Sequence, residues 1–250
     1  MQRLAAPAHG SFTEQEKLMK VQAVILAAGM GTRLARPHPK PMTELSDGRT
    51  IMQQQVQNLQ SAFGKKVQLT IAVGFKLEMI LEHVPNASFV YNENFDQTNT
   101  SKSLLKAIRN SAKGGVLWMN GDVVFDPDIL ELLMPYIKRD ESFITVDVSS
   151  VSDEEVKYTT DAEGNILELS KTVPADVARG EAVGINYVSS KDKKKFLKRL
   201  IEVDDQDYFE AAIELTIKQD DVKWTPVDIS AFYAVEVDFP DDLARANASI

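Results

Sequence analysis

The sequence has no cysteine and only three histidines. Without cysteine the chain forms no disulfide, no thiolate nucleophile and no zinc or iron–sulfur site with cysteine ligands. The histidines, His9, His38 and His83, have no metal-ligand spacing. A P-loop Gly-Lys-Ser/Thr and a Gly-x-Ser-x-Gly elbow are absent as well, so neither motif supplies a function.

Long apolar runs and an excess of basic charge are also missing. No apolar run approaches the ~18 residues that a membrane span needs, and the first residues lack the basic and then apolar pattern of a signal peptide. The net charge of −9 argues against a general nucleic-acid binder, which needs a basic face, but it allows a small basic pocket for one nucleotide. We expect a cytoplasmic protein that binds neither nucleic acid nor membrane; the absence of cysteine fits a reducing compartment.

From residue 21 onward, short apolar strands alternate with amphipathic helices. The strands are apolar on both faces, which is typical of a mostly parallel sheet covered by helices on both sides. In the first half the pattern predicts strands 21–27, 67–73, 87–91, 115–119 and 142–148 and helices 51–62, 77–81, 101–111 and 127–138. The predicted fold class is α/β, with a Rossmann-like three-layer α/β/α arrangement.

The character of the chain changes near residue 150. The second half predicts strands 157–160, 166–169, 183–188, 222–227 and 232–237 and helices 192–203 and 208–218. We interpret it as a smaller β-rich subdomain inside one domain over 19–250, with halves 19–150 and 151–250. Residues 1–18 lack periodicity and are predicted to be an extension, which is either flexible or forms a short helix. If the chain is a homodimer, this extension could pack on the partner subunit.

The most specific motif is a glycine loop after the first buried strand, LAAGMGTRL at 26–34, followed by KPM at 40–42. Glycines in such a loop let main-chain N–H groups approach an anion closely. A dinucleotide fingerprint would have a third glycine where Leu34 stands, which argues against a dehydrogenase. Arg33 and Lys40 place two cations beside the loop, and two cations suit a triphosphate better than a nicotinamide.

This string resembles the signature of the nucleotidyltransferases that activate phosphorylated sugars, alcohols and amines, and the resemblance covers most of 20–245. It implies a GT-A-like fold with a nucleotide-binding half and an acceptor-binding half. It also implies that Arg33 and Lys40 are catalytic and stabilise charge at the α-phosphate and on the departing pyrophosphate. The nucleotide-binding residues that it implies in the loop are Leu26, Ala27, Ala28, Gly29, Met30, Gly31 and Thr32.

Two carboxylates are candidate ligands of Mg²⁺. An apolar strand ends near Asp122, and ligands of open parallel sheets bind at that edge. Mg²⁺ binds through one or two carboxylates together with substrate phosphates. The segment around Asp238 resembles the family's late Asp-Thr-Pro-Glu-Asp-Leu segment, with Phe239 in place of the small hydroxyl residue. The resemblance therefore implies Asp122 and Asp238 as metal ligands, with Asp228 as a competing candidate for the second.

Further segments resemble the branch related to phosphocholine cytidylyltransferases. Asn99 and Ser103 match a segment that lines the base and ribose site, which implies that they bind nucleotide; both also fit a helix cap. Lys171 matches a lysine that contacts the acceptor phosphate, and Glu181 lies in an acceptor-side Gly-Glu-x-x-Gly-Ile run. Lys171 and Glu181 are therefore implied as acceptor-binding residues, with an exposed lysine and a turn-capping glutamate as the alternatives.

The resemblance implies transfer of a nucleoside monophosphate, with CMP from CTP favoured, to a small phosphorylated or phosphonate acceptor. The attacking oxygen is already anionic near neutral pH, so the reaction needs no histidine base. Phosphocholine or 2-aminoethylphosphonate is the first choice of acceptor. Aromatic residues of the second half either form a wall for the ammonium group or belong to the core: Tyr158, Tyr187, Trp224, Phe232 and Tyr233. Two alternatives stay open. The acceptor could be a sugar 1-phosphate or an inositol phosphate, or the protein could be a nucleotide-sensing module without turnover.

Overall fold

The computed structural model describes residues 20–31, 37–149, 151–152 and 154–250, with the backbone alone at Lys65. The predicted extension 1–18 lies outside the described residues, as do the predicted site residues Thr32 and Arg33.

The described strands and helices follow the predicted alternation closely. In chain order the strands are β1 (Gln22–Ala27), β2 (Gln68–Val73), β3 (Ser88–Tyr91), β4 (Val116–Asn120), β5 (Val123–Phe125), β6 (Phe143–Asp147), β7 (Lys157–Thr160), β8 (Ile166–Ser170), β9 (Gly180–Val188), β10 (Thr225–Asp228) and β11 (Ala234–Glu236). The helices are α1 (Ile51–Phe63), α2 (Leu77–His83), α3 (Thr100–Arg109), α4 (Asp128–Arg139), α5 (Lys193–Glu202), α6 (Phe209–Asp220) and α7 (Pro240–Ser249). Short 3₁₀ helices lie at Lys40–Met42 and Gly64–Lys66.

Most of the described strands form one sheet. Its main path runs β3-β2-β1-β4-β9-β6-β10, and β7 and β8 extend it through the pairing of β7 with β9. The pairs β1–β2, β1–β4, β2–β3 and β6–β10 are parallel. The prediction of a mostly parallel Rossmann-like sheet is therefore confirmed.

Strand β9 differs from the predicted strand 183–188 in its length. It begins at Gly180 because Gly180 and Glu181 pair with Tyr158 and Lys157 of β7, ahead of the apolar run. It runs antiparallel to both neighbours, β4 and β6. A strand from the second half of the chain therefore lies between two strands from the first half.

Strands β5 and β11 form a separate antiparallel ribbon. The sequence did not predict β5, because three residues directly after Gly121 and Asp122 are too few to show a period. In the ribbon Val123 pairs with Glu236, and the Val237 N–H donates to the Asp122 carbonyl at 3.0 Å. The ribbon therefore brings the end of β4 beside the end of β11.

Helices cover both faces of the sheet and complete the three layers. Alternate residues of β1 belong to two different cores: Ala23 and Ile25 pack in the core that contains buried residues of α1 and α4. Val24 and Leu26 pack in the core that contains those of α3, α5 and α6. The predicted strand 222–227 begins only at Thr225, because Trp224 is buried in the second core. Among the described residues, no helix is both long and apolar enough to cross a membrane.

Candidate active site

A cavity of about 580 Å³ opens at the carboxyl ends of β1 and β4 and extends to β9, β11 and the end of β8. The predicted site residues that line it are Leu26, Ala27, Gly29, Gly31, Lys40, Asn99, Asp122, Lys171, Glu181 and Asp238. Ala28, Met30 and Ser103 are not among the lining residues. One cavity thus joins the end where the nucleotide is predicted to bind with the end where the acceptor is predicted to bind.

The ammonium group of Lys40 lies at the centre of the predicted catalytic residues. Its Nζ donates to Asp122 Oδ2 at 2.5 Å and also to Asp238 Oδ1. Burial by itself would lower the pKa of Lys40, but the charges and hydrogen bonds of Asp122 and Asp238 outweigh burial and raise it. The lysine therefore stays protonated and offsets one of the two carboxylate charges.

Asp122 is presented by a turn that is fixed from two sides. The Gly121 N–H donates to the Leu26 carbonyl at 2.9 Å, and a Cβ at Gly121 would lie 2.5 Å from that carbonyl oxygen. On the other side, Gln55 Nε2 donates to the carbonyls of Asn120 and Val123, both at 2.8 Å. The close approach requires glycine, and the buried glutamine holds the residues before and after the aspartate.

Gln55 is a residue that sequence reasoning missed. It is fully buried on α1, three residues after Met52 and four before Leu59, which both belong to the core. An amide group on the apolar face of a helix requires hydrogen-bond partners. The position of Gln55 on that face was therefore the feature of the sequence that could have revealed its role.

Asp238 follows the β11 strand and precedes α7. The Asp242 Oδ2 atom accepts from the N–H groups of Asp238 and Phe239 at 3.0 and 2.7 Å, so Asp242 caps the start of α7. The competing candidate Asp228 instead accepts from the Ser230 N–H at 2.9 Å and does not line the cavity. Of these aspartates, the structure therefore brings Asp238 to Lys40 and Asp122.

The two carboxylates fit the donor set of Mg²⁺. Within the described ranges, no group of three or more His, Cys, Asp or Glu side chains is arranged to hold a metal ion. Asp122 and Asp238 contact the same nitrogen of Lys40, and Mg²⁺ is commonly held by one or two carboxylates, water and substrate phosphates. The site therefore fits a metal that arrives with a nucleotide, and the metal itself stays a prediction.

Asn99 and Ser103 differ in their relation to the cavity. Asn99 is the N-cap of α3, where its Oδ1 accepts from the Thr100 N–H at 2.8 Å, and it also lines the cavity. Ser103 is buried, and its hydroxyl accepts from Asn92 Nδ2 at 3.0 Å. The Asn99 Nδ2 atom also donates to the Gln206 carbonyl at 3.2 Å. The capping alternative is therefore confirmed for Asn99, which also lines the cavity, whereas Ser103 packs behind the wall.

The acceptor end of the cavity contains Lys171 and Glu181. The Nζ of Lys171 lies 5.5 Å from the centre of the Tyr208 ring, and Glu181 Oε1 accepts from the Ser152 N–H. The predicted aromatic residues of the second half lie elsewhere: Tyr158, Tyr187 and Trp224 are core residues, and neither these three nor Phe232 and Tyr233 line the cavity. The hypothesis of an aromatic wall from these residues is therefore wrong.

Sequence reasoning also missed several carboxylates of this end: Glu154, Glu155, Glu210 and Glu236. Burial raises the pKa of Glu210 to about 7, and Lys171 opposes the increase. Burial, together with Asp122 and Glu155, raises the pKa of Glu236 to about 8. Glu210 lies in the first turn of α6, where an acidic residue is common, and the sequence therefore gave no sign of a buried group.

Residues 23–180 match the family described as MobA-like NTP transferase domain. A CMP-5'-(3-aminopropyl)phosphonate synthase of Streptomyces rubellomurinus is 27% identical over 246 residues, which cover 91% of this chain and 38% of that protein. A bifunctional GlmU protein of Methanococcus vannielii is 35% identical over 119 residues, 45% of this chain and 27% of that protein. The chain thus spans well under half the length of these curated relatives.

Two solved structures share the fold. The inositol-1-phosphate CTP transferase of T. maritima superposes with a TM-score of 0.75 at 16% identity, over 92% of this chain and 96% of that one. The CTP:phosphocholine cytidylyltransferase LicC of Streptococcus pneumoniae superposes with a TM-score of 0.69 at 17% identity, over 92% and 99% of the two chains. At such identities the likeness establishes the fold alone.

Proposed function

Because the chain belongs to the MobA-like NTP transferase domain family and is therefore a nucleotidyltransferase, we propose that it transfers CMP from CTP to a small phosphorylated or phosphonate acceptor. Phosphocholine and 2-aminoethylphosphonate represent the acceptors we propose, and pyrophosphate is the second product. The observation that carries the proposal is the contact of Lys40 with both Asp122 and Asp238 in a cavity that also reaches Lys171 and Glu181.

The reaction is a displacement at the α-phosphorus. An oxygen of the acceptor phosphate or phosphonate forms a bond to the α-phosphorus, and the bond from that phosphorus to the β-phosphate oxygen breaks. The electron pair leaves with pyrophosphate. The attacking oxygen needs no general base because it is already anionic, so catalysis consists of alignment and stabilisation of charge.

The residues divide these tasks between the two ends of the cavity. Lys40, with Arg33 as implied by the motif, stabilises negative charge on the departing pyrophosphate. Asp122 and Asp238 would hold Mg²⁺, which would supply positive charge to the phosphates. Lys171 binds the anionic group of the acceptor. The contacts of Lys40 with the two aspartates support this division, because the cation and both carboxylates already lie together.

The preference for CTP and for an acceptor that carries an amine rests on relatives and on charge. The Streptomyces relative, which aligns with 91% of this chain, is named for a CMP derivative of an aminoalkyl phosphonate. The acceptor end is rich in carboxylates, which favour a cationic substituent. A nucleotide-sensing module without turnover would not need both aspartates beside the lysine.

The test is pyrophosphate release with Mg²⁺ across CTP, UTP, GTP, ATP and dTTP. The acceptors are phosphocholine, 2-aminoethylphosphonate, inositol 1-phosphate and glucose 1-phosphate. We expect turnover with CTP and an amine-containing acceptor, reduced about 10²–10³-fold in Asp122→Asn by analogy with the loss of one transition-state contact. Turnover with inositol or glucose 1-phosphate alone would instead establish the alternative acceptor class. Tight CTP binding without turnover for any acceptor would favour the sensor.

The remaining expectations stay predictions: the division at residue 150, the homodimer, the cytoplasmic location, and the roles of Thr32 and Arg33.

A further inference from the structure

The acceptor end of the cavity has more negative than positive side chains. The cations that line the whole cavity, within the described ranges, are Lys40, Lys171 and Arg245. Lys40 is paired with two aspartates, and Arg245 is paired with Asp242. Lys171 therefore faces the glutamates of that end with little other positive charge: Glu154, Glu155, Glu181, Glu210 and Glu236.

Two buried acceptor atoms in this wall have no hydrogen-bond donor among the described residues. They are Glu210 Oε2 and Asn120 Oδ1, and both are shielded from solvent. A buried acceptor without a donor is destabilising, and a carboxylate more so than an amide. Both residues line the cavity, so N–H or O–H donors of a bound ligand would satisfy acceptor atoms that the described residues leave unpaired.

The amide of Asn120 is fixed by the residues around it. Its Nδ2 donates to Glu236 Oε1 at 3.1 Å, which directs the unpartnered Oδ1 away from Glu236. Gly184, on β9, has a φ of +68°, and a Cβ there would lie 2.7 Å from both Asn120 Nδ2 and Glu236 Oε1. The glycine thus leaves the space that this amide–carboxyl pair occupies.

The charge of Glu210 is poorly compensated in the free protein. Burial raises the pKa of this carboxyl to about 7, although a main-chain hydrogen bond of Glu210 itself and, less strongly, the charge of Lys171 lower it. A bound cation would supply the missing compensation, because an opposite charge within a few ångströms favours the ionised carboxylate.

The chemistry of the wall distinguishes between two kinds of cation. A quaternary ammonium has no N–H and is usually held by aromatic faces. The aromatic residues that line the described cavity are Tyr208, Phe209 and Phe239. Tyr208 already faces Lys171, and Phe209 is 2% exposed. Phe239 is 46% exposed but directly follows the predicted metal ligand Asp238. A primary ammonium offers three N–H donors and a positive charge, which match a carboxylate and a carboxamide oxygen.

We propose that Glu210 binds the primary ammonium of the acceptor, with the Asn120 carboxamide oxygen as a further hydrogen-bond acceptor. Of the acceptors proposed above, this site therefore fits the ω-aminoalkyl phosphonates or phosphates and not phosphocholine. This proposal rests on the proposed function, because that function makes the bound ligand an acceptor. It adds Glu210 as a recognition residue that belongs neither to the glycine loop nor to the aspartate pair.

The experiment compares binding of matched ligands by calorimetry at pH 8. The ligands are 3-aminopropylphosphonate, propylphosphonate, which lacks the amine, and phosphocholine. The native protein should bind the amine about tenfold or more tightly than propylphosphonate, since a charge-assisted hydrogen bond has that magnitude, and more tightly than phosphocholine. Equal binding of the first two, or tighter binding of phosphocholine, would overturn the proposal.

Glu210→Gln should bring the affinities for 3-aminopropylphosphonate and propylphosphonate within about threefold of each other. Asn120→Asp keeps an oxygen that accepts a hydrogen bond, so this variant should retain the preference for the amine. Glu163→Gln, at an exposed turn, is the matched control and should bind like the native protein. Thermal melts establish that each variant is folded. A Glu210→Gln protein that is folded and keeps the full preference would contradict the assignment.

Pyrophosphate release, measured on the same samples, separates this proposal from the proposed function. Amine-dependent binding that Glu210→Gln abolishes, without CMP transfer to any acceptor, would support the ammonium site and reject the reaction. CMP transfer with equal kcat/KM and equal binding for 3-aminopropylphosphonate and propylphosphonate would support the reaction and reject the site.

Discussion

The side-chain amide of Gln55, on α1, donates a 2.8 Å hydrogen bond to the main-chain carbonyl of Asn120 at the end of β4. The same nitrogen donates to the carbonyl of Val123, also at 2.8 Å. The turn that carries Asp122 lies between these two carbonyls. A buried helix residue therefore sets the position of a predicted metal ligand that it does not itself contact.

Gln55→Leu should reduce both stability and turnover. The substitution leaves two carbonyl oxygens without their donor, and one buried unsatisfied group is worth about 1–3 kcal/mol. We expect the free energy of unfolding to fall by about 2 kcal/mol and kcat to fall more than KM rises, because the turn at Asp122 loosens. Urea unfolding and pyrophosphate release measure the two effects.

Gln60→Leu is the control for this variant. Gln60 lies on the same helix but is exposed, so the change should leave stability within about 0.5 kcal/mol. Equal effects of the two substitutions would contradict the positioning role of Gln55.

Lys40→Met should strengthen metal binding to the nucleotide-free protein while it weakens turnover. The ammonium of Lys40 contacts both Asp122 and Asp238, so a divalent cation competes with it for these carboxylates. Removal of one charge about 4 Å away is worth about 1–4 kcal/mol, which corresponds to about tenfold or more in affinity. Titration with Mn²⁺, followed by electron paramagnetic resonance, measures this affinity without any turnover.

Asp238→Asn in the Lys40→Met background should reverse the gain in Mn²⁺ affinity. If Lys40→Met binds Mn²⁺ no better than the native protein, Lys40 does not compete with a metal at the two aspartates.

Glu210→Gln should make the protein more stable at pH 8 and leave its stability at pH 4 nearly unchanged. Folding raises the pKa of Glu210 from 4.5 to about 7, so the folded state binds more protons than the unfolded state between these values. The contribution of this carboxyl is favourable while it is protonated, below about pH 4.5, and is lost as the pH rises through 7.

The size of the effect follows from the shift. A glutamine does not titrate, so the variant should gain up to about 3 kcal/mol over the native protein at pH 8. Denaturant unfolding of both proteins at pH 4, 6 and 8 measures the difference. A gain that is the same at all three pH values would mean that packing, and not ionisation, causes it.

Gly121→Ala should be strongly destabilising, unlike Gly29→Ala. A Cβ at Gly121 would lie 2.5 Å from the Leu26 carbonyl oxygen and 2.9 Å from Pro41 Cγ, so two main-chain segments of the site would have to separate. A Cβ at Gly29 would have no atom of the described residues within 4 Å, apart from those of its chain neighbours. We expect the midpoint of thermal unfolding to fall by several degrees for the first variant, since overpacking is worth about 1–3 kcal/mol, and to change little for the second. Similar midpoints for the two variants would contradict the close contact at Gly121.

The sequence predicted the fold and the nucleotide end of the site because both depend on local patterns. Strand–helix alternation defined β1, β2 and β4, and the glycine loop follows β1 directly. The contact between Lys40 and Asp238 was not predicted, because 198 positions separate them. Their approach depends on the ribbon of β5 and β11, and a three-residue strand such as β5 has no readable period.

The acceptor end was predicted less well, for physical reasons that can be stated. Glu210 looks like an ordinary acidic residue in the first turn of a helix, and only the packing of α6 buries it. Trp224 and Tyr187 look in the sequence like a wall for an ammonium group, but Tyr187 on β9 and Trp224, directly before β10, both pack in the cores. In both cases the local sequence is compatible with either environment, and long-range packing decides between them.

The antiparallel β9 strand has a consequence for how this enzyme can change over evolution. β9 carries residues of the acceptor end and is paired with both β4 and β6. Residues 19–150 therefore do not form a complete sheet without this strand from residues 151–250. A gene fragment that ended near residue 150 would leave two long strand edges open, and open edges promote aggregation. New acceptor specificities should therefore arise by substitutions in the cavity wall and its loops, whereas recombination that exchanges whole halves should be rare among functional descendants.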